Sequence, residues 1–324
     1  YYDYCIRKFL NIMINNSNPE AIIIPHKVAN GVGRIKNIKN IIAITSGKGG
    51  VGKSTVALNL ALSLAKHYSY KVGLLDADIY GPSIPTLVGA LDYKPEVESA
   101  KFVPLNKFKL EIMSFGFLID KEKPAIWRGA IVTKALEQLL FDTNWSELDF
   151  LIIDMPPGTG DIHLSMCQKF PLTANVVVTT PHALSEADVL KSINMYKKLA
   201  IPSLGIVENM TNYMCNNCGH VDDLHFSTND NTNACYQELK VLANLPLSFQ
   251  MSSANHTGVP ILYLDQNQND ENNHNNAQNI NIMNKYTQLE SMIKNLAQNF
   301  LNEIKLLPKE HQSKLKTIPI KLSK

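Results

Sequence analysis

The segment SGKGGVGKST, residues 46–55, carries residue types that bind the phosphates of a nucleotide. It matches the pattern G-x-x-x-x-G-K-[ST], in which glycines let backbone N–H groups turn inward around phosphate oxygens. The Lys53 ammonium is placed to reach the β- and γ-phosphates, and the Ser54 hydroxyl is placed to bind Mg²⁺. The segment therefore predicts a site for ATP and Mg²⁺. It is formed by Gly47, Lys48, Gly49, Gly50, Val51, Gly52, Lys53, Ser54 and Thr55.

Carboxylates follow two apolar runs further along the chain, in LLDADIYGP and LIIDMPPGTGD. An Asp at the carboxyl end of a strand beside a phosphate loop is typical of a residue that holds Mg²⁺ through water, and Asp154 fits that place. We expect Asp78 to position the attacking water and Asp76 to support the metal and Lys53. The Pro-Pro-Gly-Thr turn after Asp154 predicts a segment that moves with the nucleotide, with the Gly158 N–H contacting the γ-phosphate.

Two thiols, Cys215 and Cys218, stand in the segment NYMCNNCGH, in a chain with five cysteines. The odd, low count argues against a secreted disulfide framework and favours reduced thiols in a reducing compartment. Together with His220 and His225, the pair could bind tetrahedral Zn²⁺ within one chain. A redox dithiol and structural thiols without a ligand are further alternatives. The remaining cysteines, which we interpret as structural, are Cys5, Cys167 and Cys235.

Short apolar runs predict strands that are buried on both faces. These runs are residues 41–45, 72–76, 110–115, 150–154, 176–180 and 204–209. Helical stretches stand between them, at 53–67, 130–142 and 184–200. The alternation predicts an α/β fold with a doubly wound, mainly parallel sheet, as in P-loop NTPases. Ligands of such sheets bind at the carboxyl ends of the strands, where the phosphate loop, Asp78 and Asp154 are expected to meet.

One large domain with appendages is predicted. Nine of the nineteen residues at 266–284 are Asn, a composition that buries too little apolar surface to offset its ordering entropy, so we expect a disordered insertion. Helical spacing then resumes and predicts a C-terminal helix that packs on the sheet. The predicted boundaries are 1–37 for an N-terminal remnant or linker, 38–265 for the ATPase domain, 266–284 for the insertion, 285–307 for the helix and 308–324 for a tail.

Charge and hydropathy exclude several partners. The formal net charge is +2, so no global field indicates nucleic acid, and no apolar run is long enough to predict a membrane span. The chain begins with Tyr1 rather than Met, and we interpret the N-terminus as incomplete. Reduced thiols favour the cytoplasm, with a mitochondrial or plastid location left open.

Several motifs together resemble one family. The chain resembles the Mrp/ApbC (Nbp-type) iron–sulfur cluster carrier ATPases in six motifs. They are GKGGVGKST, DADIYGPS, WRGAIVTKALEQLL, DMPPGTGDIHLS, VVVTTP and ENM followed by C-x-x-C. That family belongs to the MinD-like class with a deviant Walker A loop, and the resemblance covers roughly residues 38–262. It implies that Lys48 reaches across a dimer interface to the partner's nucleotide. There its positive charge would stabilise the negative charge that develops on the phosphate during hydrolysis. It also implies that Asn209 contacts the adenine. The predicted catalytic residues are then Lys48, Lys53, Asp78 and Asp154.

The resemblance also gives the thiol pair a function. Family members are homodimers or close heterodimers in which each subunit contributes two cysteines to one [4Fe–4S] cluster, which takes four thiolates. For this chain it implies that Cys215 and Cys218 bind a cluster shared across a dimer, that recipient apoproteins are partners, and that ATP hydrolysis is slow. Two alternatives remain: a MinD/ParA-like positioning ATPase without metal, and an ATPase with a structural zinc site.

Overall fold

The computed structural model describes residues 35, 37–119, 129–215, 220–224, 239–264 and 277–307. Its strands are β1 (Ile38–Ser46), β2 (Val72–Asp76), β3 (Val97–Glu98), β4 (Lys101–Phe102), β5 (Leu105–Lys107), β6 (Leu110–Ser114), β7 (Leu148–Asp154), β8 (Ala174–Thr179), β9 (Ser203–Met214), β10 (Val221–Asp223) and β11 (Val241–Leu247). Its α-helices are α1 (Lys53–Tyr68), α2 (Ile84–Leu87), α3 (Gly129–Phe141), α4 (Asp161–Lys169), α5 (Ala183–Lys198), α6 (Phe249–Thr257) and α7 (Ala277–Leu306).

Within the described residues, the main sheet has nine strands in the order β10-β9-β8-β1-β7-β2-β6-β5, with β11 also paired to β9. The pairs of β1 with β7 and β8, of β2 with β6 and β7, and of β9 with β8 and β11 are parallel. Antiparallel pairs occur at both edges, β5 with β6 and β9 with β10. The predicted α/β fold with a mainly parallel sheet is therefore confirmed.

The central strands lie inside the protein because they are apolar on both faces. Every residue of β2, β7 and β8 is buried, and so is nearly all of β1. Helices α1 and α7 pack together over the sheet, where the rings of Phe150 and Phe300 lie 5.7 Å apart. The core of the domain is the sheet itself, so the strand ends that carry the polar motifs have little freedom to move.

The C-terminal helix differs from its predicted boundaries. It begins at Ala277, inside the segment predicted as a disordered insertion, rather than at residue 285. Residues 277–284 contain no Gly or Pro, and Asn disfavours a helix only mildly, so the helix extends back through them. The helical spacing of apolar residues begins at Tyr286, which is partly buried, and its other members are buried: Leu289, Ile293, Leu296, Phe300 and Ile304.

Several predicted features lie outside the described residues. They are residues 1–34, the first part of the predicted insertion and the tail from 308. Cys5, Cys218, His225 and Cys235 are also outside them. None of the helices that the structure does describe has the length and apolar character needed to cross a bilayer.

Candidate functional site

The phosphate-binding loop joins the end of β1 to the start of α1. Gly50 and Gly52 have φ angles of 80° and 81°, a left-handed conformation that glycine adopts without steric cost. A Cβ on Gly52 would lie 2.2 Å from the Nδ2 atom of Asn209, so this position also needs glycine for space. A cavity of about 420 Å³ lies over the loop and is lined by Lys48, Lys53 and Ser54. The N-terminus of α1 adds its partial positive charge there, as an anion site requires.

Lys53 lies between the two predicted catalytic carboxylates. Its Nζ is 2.5 Å from Oδ1 of Asp154 and 3.8 Å from Oδ2 of Asp78. The side chain of Lys53 is 6% exposed and that of Asp154 is fully buried, so the charges interact with little solvent between them. The structure thus brings together the lysine and carboxylates that the sequence places at the strand ends.

The carboxylates of Asp78 and Asp154 have the acceptor atoms that a magnesium ion needs. Oδ1 of Asp78 and Oδ2 of Asp154 are buried and, within the described residues, accept no hydrogen bond. Burial raises the pKa of Asp78, and the Asp154 charge raises it further against the lowering effect of Lys53. Ser54 and Asp78 line the same cavity. Their oxygens and those of Asp154 are of the type that Mg²⁺ prefers, and a bound ion would relieve the repulsion between the two carboxylates.

The carboxylate of Asp76 accepts three hydrogen bonds. Its Oδ2 accepts hydrogen bonds from the Ser114 hydroxyl at 2.9 Å and the Ile84 N–H at 3.1 Å, and its Oδ1 accepts one from the Asp78 N–H at 3.2 Å. It is paired in register with Asp154 on the neighbouring strand. Burial raises its pKa to about 7, and the Asp154 charge contributes in the same direction. Asp76 therefore anchors the turn that carries Asp78, and the Lys53 charge lowers the Asp76 pKa against these two effects. Its support of the metal and of Lys53 stays a prediction.

The turn after Asp154 is hydrogen-bonded to the end of β1, where the phosphate loop begins. The Gly158 N–H donates to the Ser46 carbonyl at 2.9 Å, and the Met155 N–H donates to the Ile44 carbonyl at 3.1 Å. Gly158 has a φ of 84°, which favours glycine. The Gly158 N–H that was predicted to contact the γ-phosphate is thus bonded to the loop, and it has to leave Ser46 before it can bind phosphate.

A buried polar cluster that sequence reasoning missed supports the same turn. His163 on α4 lies 3.1 Å from the Pro156 carbonyl through Nδ1 and 2.7 Å from the Tyr196 hydroxyl through Nε2. A carbonyl only accepts, so Nδ1 carries the proton and Tyr196 donates to Nε2. Cys167 donates to the Tyr196 oxygen at 3.5 Å. Burial lowers the pKa of His163 to about 4 and raises that of Cys167 to about 12, so both are neutral and the direction of the bonds is fixed.

Asn209 also contacts the phosphate loop. Its Nδ2 donates to the Val51 carbonyl at 2.8 Å, and the residue is 8% exposed. A second cavity of about 200 Å³ lies beside it, lined by apolar side chains of β11 and by Asn255 and Ser248. An apolar slot with a few amides next to a phosphate site suits a nucleotide base. The contact of Asn209 with adenine stays a prediction.

Cys215 follows directly after β9, at the base of an antiparallel hairpin. Its N–H donates to the His220 carbonyl at 2.8 Å, and Met214 pairs with Val221 in the hairpin. Cys215 is partly buried. Cys218 and His225 lie outside the described residues, so the structure does not test either the shared cluster or the zinc tetrad. Nε2 of His220 lies 3.0 Å from an oxygen of Asp222.

Fold and site together define a P-loop NTPase with a thiol-bearing hairpin next to its nucleotide site. Within the described part of the chain, no three His, Cys, Asp or Glu side chains form a metal site. A family model described as "ParA: NUBPL iron-transfer P-loop NTPase" matches residues 37–285. The chain belongs to this family.

Relatives and solved structures agree with this assignment. The chain is 45% identical over 249 residues to an iron–sulfur cluster carrier protein of Pseudomonas fragi, which covers 76% of this chain and 86% of the relative. It is 44% identical over 229 residues to the iron–sulfur cluster transfer protein NUBPL of Dictyostelium discoideum, covering 70% of this chain and 71% of that one. A nucleotide-binding protein of Archaeoglobus fulgidus, solved with ADP, is 36% identical with a TM-score of 0.61, covering 69% of this chain and 88% of the other.

Proposed function

We propose that the chain is an ATP-dependent carrier that assembles [4Fe–4S] clusters and transfers them to apoproteins, with the cluster bound between two subunits. The observation that supports this most directly is that strand β9 contacts the phosphate loop and is followed directly by a thiol of the C-x-x-C pair. Asn209 contacts Val51 of the loop, and Cys215 follows the last residue of the strand. Nucleotide and thiol sites are thus mechanically connected.

The residues of the phosphate site divide the chemistry of ATP hydrolysis among them. Lys53 neutralises charge on the β- and γ-phosphates, and its present partners Asp78 and Asp154 are the acceptors that a nucleotide-bound Mg²⁺ would join. Ser54 and Asp154 would hold that ion, which supplies charge neutralisation at the phosphates. Asp78 orients the attacking water. Lys48, which lines the cavity over the loop, would act on the nucleotide of a second subunit.

The cluster is the cargo of this reaction. Two thiols per chain satisfy half of the four iron positions of a cubane cluster, so Cys215 and Cys218 require a second copy or a related subunit. Ligation that depends on two chains makes retention of the cluster depend on dimer geometry. A slow nucleotide cycle that changes this geometry would hold and then release the cluster. Labile thiolate ligation also needs a reducing compartment, such as the cytoplasm or an organelle matrix.

Iron and zinc content separate this function from the zinc alternative. Anaerobic reconstitution should give about four iron atoms per dimer, because one [4Fe–4S] cluster takes four thiolates. Cys215→Ala and Cys218→Ala should each lose the cluster. The matched control Cys167→Ala, which removes a buried thiol from α4, should keep it. One colourless zinc ion per chain, lost in His220→Ala, would overturn the carrier function.

The nucleotide site has its own test. Lys53→Ala should abolish ATP binding, measured by titration calorimetry, because the γ-phosphate loses its fixed cationic partner. The same change leaves Asp78 and Asp154 as unpaired buried carboxylates, so each measurement needs a melting curve that shows a folded protein. Unchanged ATP affinity in a folded Lys53→Ala protein would refute the assigned role.

A further inference from the structure

Strand β9 has two parts, of which only the first pairs with β8 and only the second pairs with β10. Its first part pairs in parallel with β8 up to Glu208, and β11 pairs with it up to Asn209 and again at Tyr213. Its last residues, 212–214, pair antiparallel with β10 in the hairpin that leads to Cys215. The register with β11 shifts between Leu245 and Leu247, opposite the junction of the two parts. The pairing is therefore irregular at the junction, where residues 210–212 of β9 lie opposite Pro246 of β11.

Met210 lies at this junction in a strained conformation. Its φ is 57°, in the left-handed region that costs energy for any residue with a Cβ. Of the described non-glycine residues with positive φ, Met210 is the one that lies within a strand; the others occupy turns and helix ends. Such strain persists only where the surroundings enforce it, and it is concentrated at functional segments.

The side chain of Met210 faces the nucleotide site. It lines both the cavity over the phosphate loop and the neighbouring apolar cavity. Its Cε lies 3.7 Å from the place where a Cβ on Gly52 would be. The preceding residue, Asn209, is fixed to the loop by its hydrogen bond to Val51. A ligand that spans the two cavities would touch the Met210 side chain.

Beyond Met210, the hairpin is held together as one unit. The Leu224 N–H donates to the Thr211 carbonyl at 3.3 Å, and the Cys215 N–H donates to the His220 carbonyl at 2.8 Å. Met210 is thus the single residue between Asn209, which is bound to the loop, and Thr211, which opens the hairpin. The hairpin also contacts β11: the Thr211 hydroxyl donates to the Leu245 carbonyl at 3.3 Å, and Tyr213 pairs with Leu247. A change in the Met210 dihedral angles would move the hairpin relative to the phosphate loop, within the range that these contacts allow.

We propose that Met210 is a positioning residue that couples nucleotide binding to the placement of Cys215. This rests on the proposed nucleotide function but not on the cluster. Cys215 is five residues beyond Met210, which at about 3.3 Å per residue is ~16 Å of extended chain. A 10° rotation at Met210 would move the Cys215 thiol by roughly 3 Å. This is enough to change the exposure of the thiol and its distance from a second thiol.

The reactivity of the Cys215 thiol tests the proposal without any cluster. Cys5, Cys218 and Cys235 are changed to Ser, which leaves Cys215 and the buried Cys167. Alkylation by N-ethylmaleimide is followed by mass spectrometry, with and without the nonhydrolysable analogue AMPPNP and Mg²⁺, at concentrations that saturate each protein. With Met210 present, nucleotide should change the Cys215 rate by about fivefold or more, the lower end of typical coupling between sites.

Variants of Met210 separate positioning from a merely structural role. Met210→Leu keeps an apolar side chain of similar reach and should retain the nucleotide effect. Met210→Gly relieves the backbone strain but removes the side chain that faces the nucleotide site, so the ratio of alkylation rates with and without nucleotide should fall to about one. Met210→Ala should lower the ratio in the same way, and it replaces the glycine variant if that variant does not fold. Ala200→Gly relieves the same left-handed conformation, φ 57°, before the other end of β9 and should leave the ratio unchanged.

Two results would overturn the proposal in distinguishable ways. Binding of AMPPNP without any change in the Cys215 rate would refute the coupling and leave the nucleotide function standing. Absence of AMPPNP binding would refute the nucleotide function, and the coupling with it. If Met210→Gly and the unsubstituted protein have the same ratio of Cys215 alkylation rates with and without nucleotide, Met210 affects only stability and the proposal is refuted.

Discussion

Asp76 is expected to make the stability of the nucleotide site depend on pH. It is fully buried, pairs in register with Asp154, and has a pKa raised to about 7, first by burial and then by the Asp154 charge. An unfolded Asp titrates near its ordinary value of about 3.9. Because the folded pKa is the higher one, the stabilisation is fully present below the unfolded pKa and is lost as pH rises through about 7.

The magnitude follows from the size of this shift. One pKa unit corresponds to about 1.36 kcal/mol, so the rise represents roughly 4 kcal/mol at its limit, and about 3 kcal/mol of it is lost between pH 5 and pH 8. The side chain of the Asp76→Asn variant does not ionise, so the variant does not show this decrease in the free energy of unfolding as pH rises. The variant leaves the Ile84 N–H without its acceptor, a cost of about 1–3 kcal/mol that does not change with pH.

Urea unfolding at pH 5 and pH 8 measures this effect. The free energy of unfolding of Asp76→Asn minus that of the unsubstituted protein should increase by about 3 kcal/mol from pH 5 to pH 8, and titrating groups that do not interact with Asp76 cancel in this difference. Ser114→Ala, which removes a donor that lowers the Asp76 pKa, should move the transition to higher pH. A difference that stays constant with pH, or that decreases, would refute the argument.

Further changes test the groups around the nucleotide. Asp78→Ala should bind ATP and hydrolyse it more slowly; hydrolysis at the unsubstituted rate would contradict the assigned role. Gly52→Ala should lower the melting temperature, since its φ is 81° and a Cβ would overlap the Asn209 amide, whereas Gly49→Ala, with open space at its Cβ, should not. His163→Asn keeps a donor at the Nδ1 position for the Pro156 carbonyl and His163→Gln does not, so the Asn variant should hydrolyse ATP faster at saturating substrate. Equal rates in the two variants would show that this hydrogen bond does not position the turn.

The sequence by itself determined the features that local patterns encode. The spacing of Gly47, Gly52, Lys53 and Ser54 predicts the phosphate loop, because the geometry of such a loop depends on a few adjacent residues. Apolar runs predict the buried strands, and their alternation with helices predicts a parallel sheet. That topology brings the carboxyl ends of β2 and β7 to one edge, where Asp78 and Asp154 meet Lys53.

The tertiary structure alone decided which distant residues become partners. Asn209 and Val51 are 158 positions apart, and His163 and Tyr196 are 33 apart, so no local pattern joins them. Strand β11 was not predicted, because it contains Asn244 and Pro246 and forms only by pairing with β9. The left-handed joint at Met210 has no sequence signal either, since a methionine in a strand run predicts ordinary extended backbone. The conformation occurs where β9 passes from its pairing with β8 to its pairing with β10, and such pairing between distant segments is a property of the folded chain.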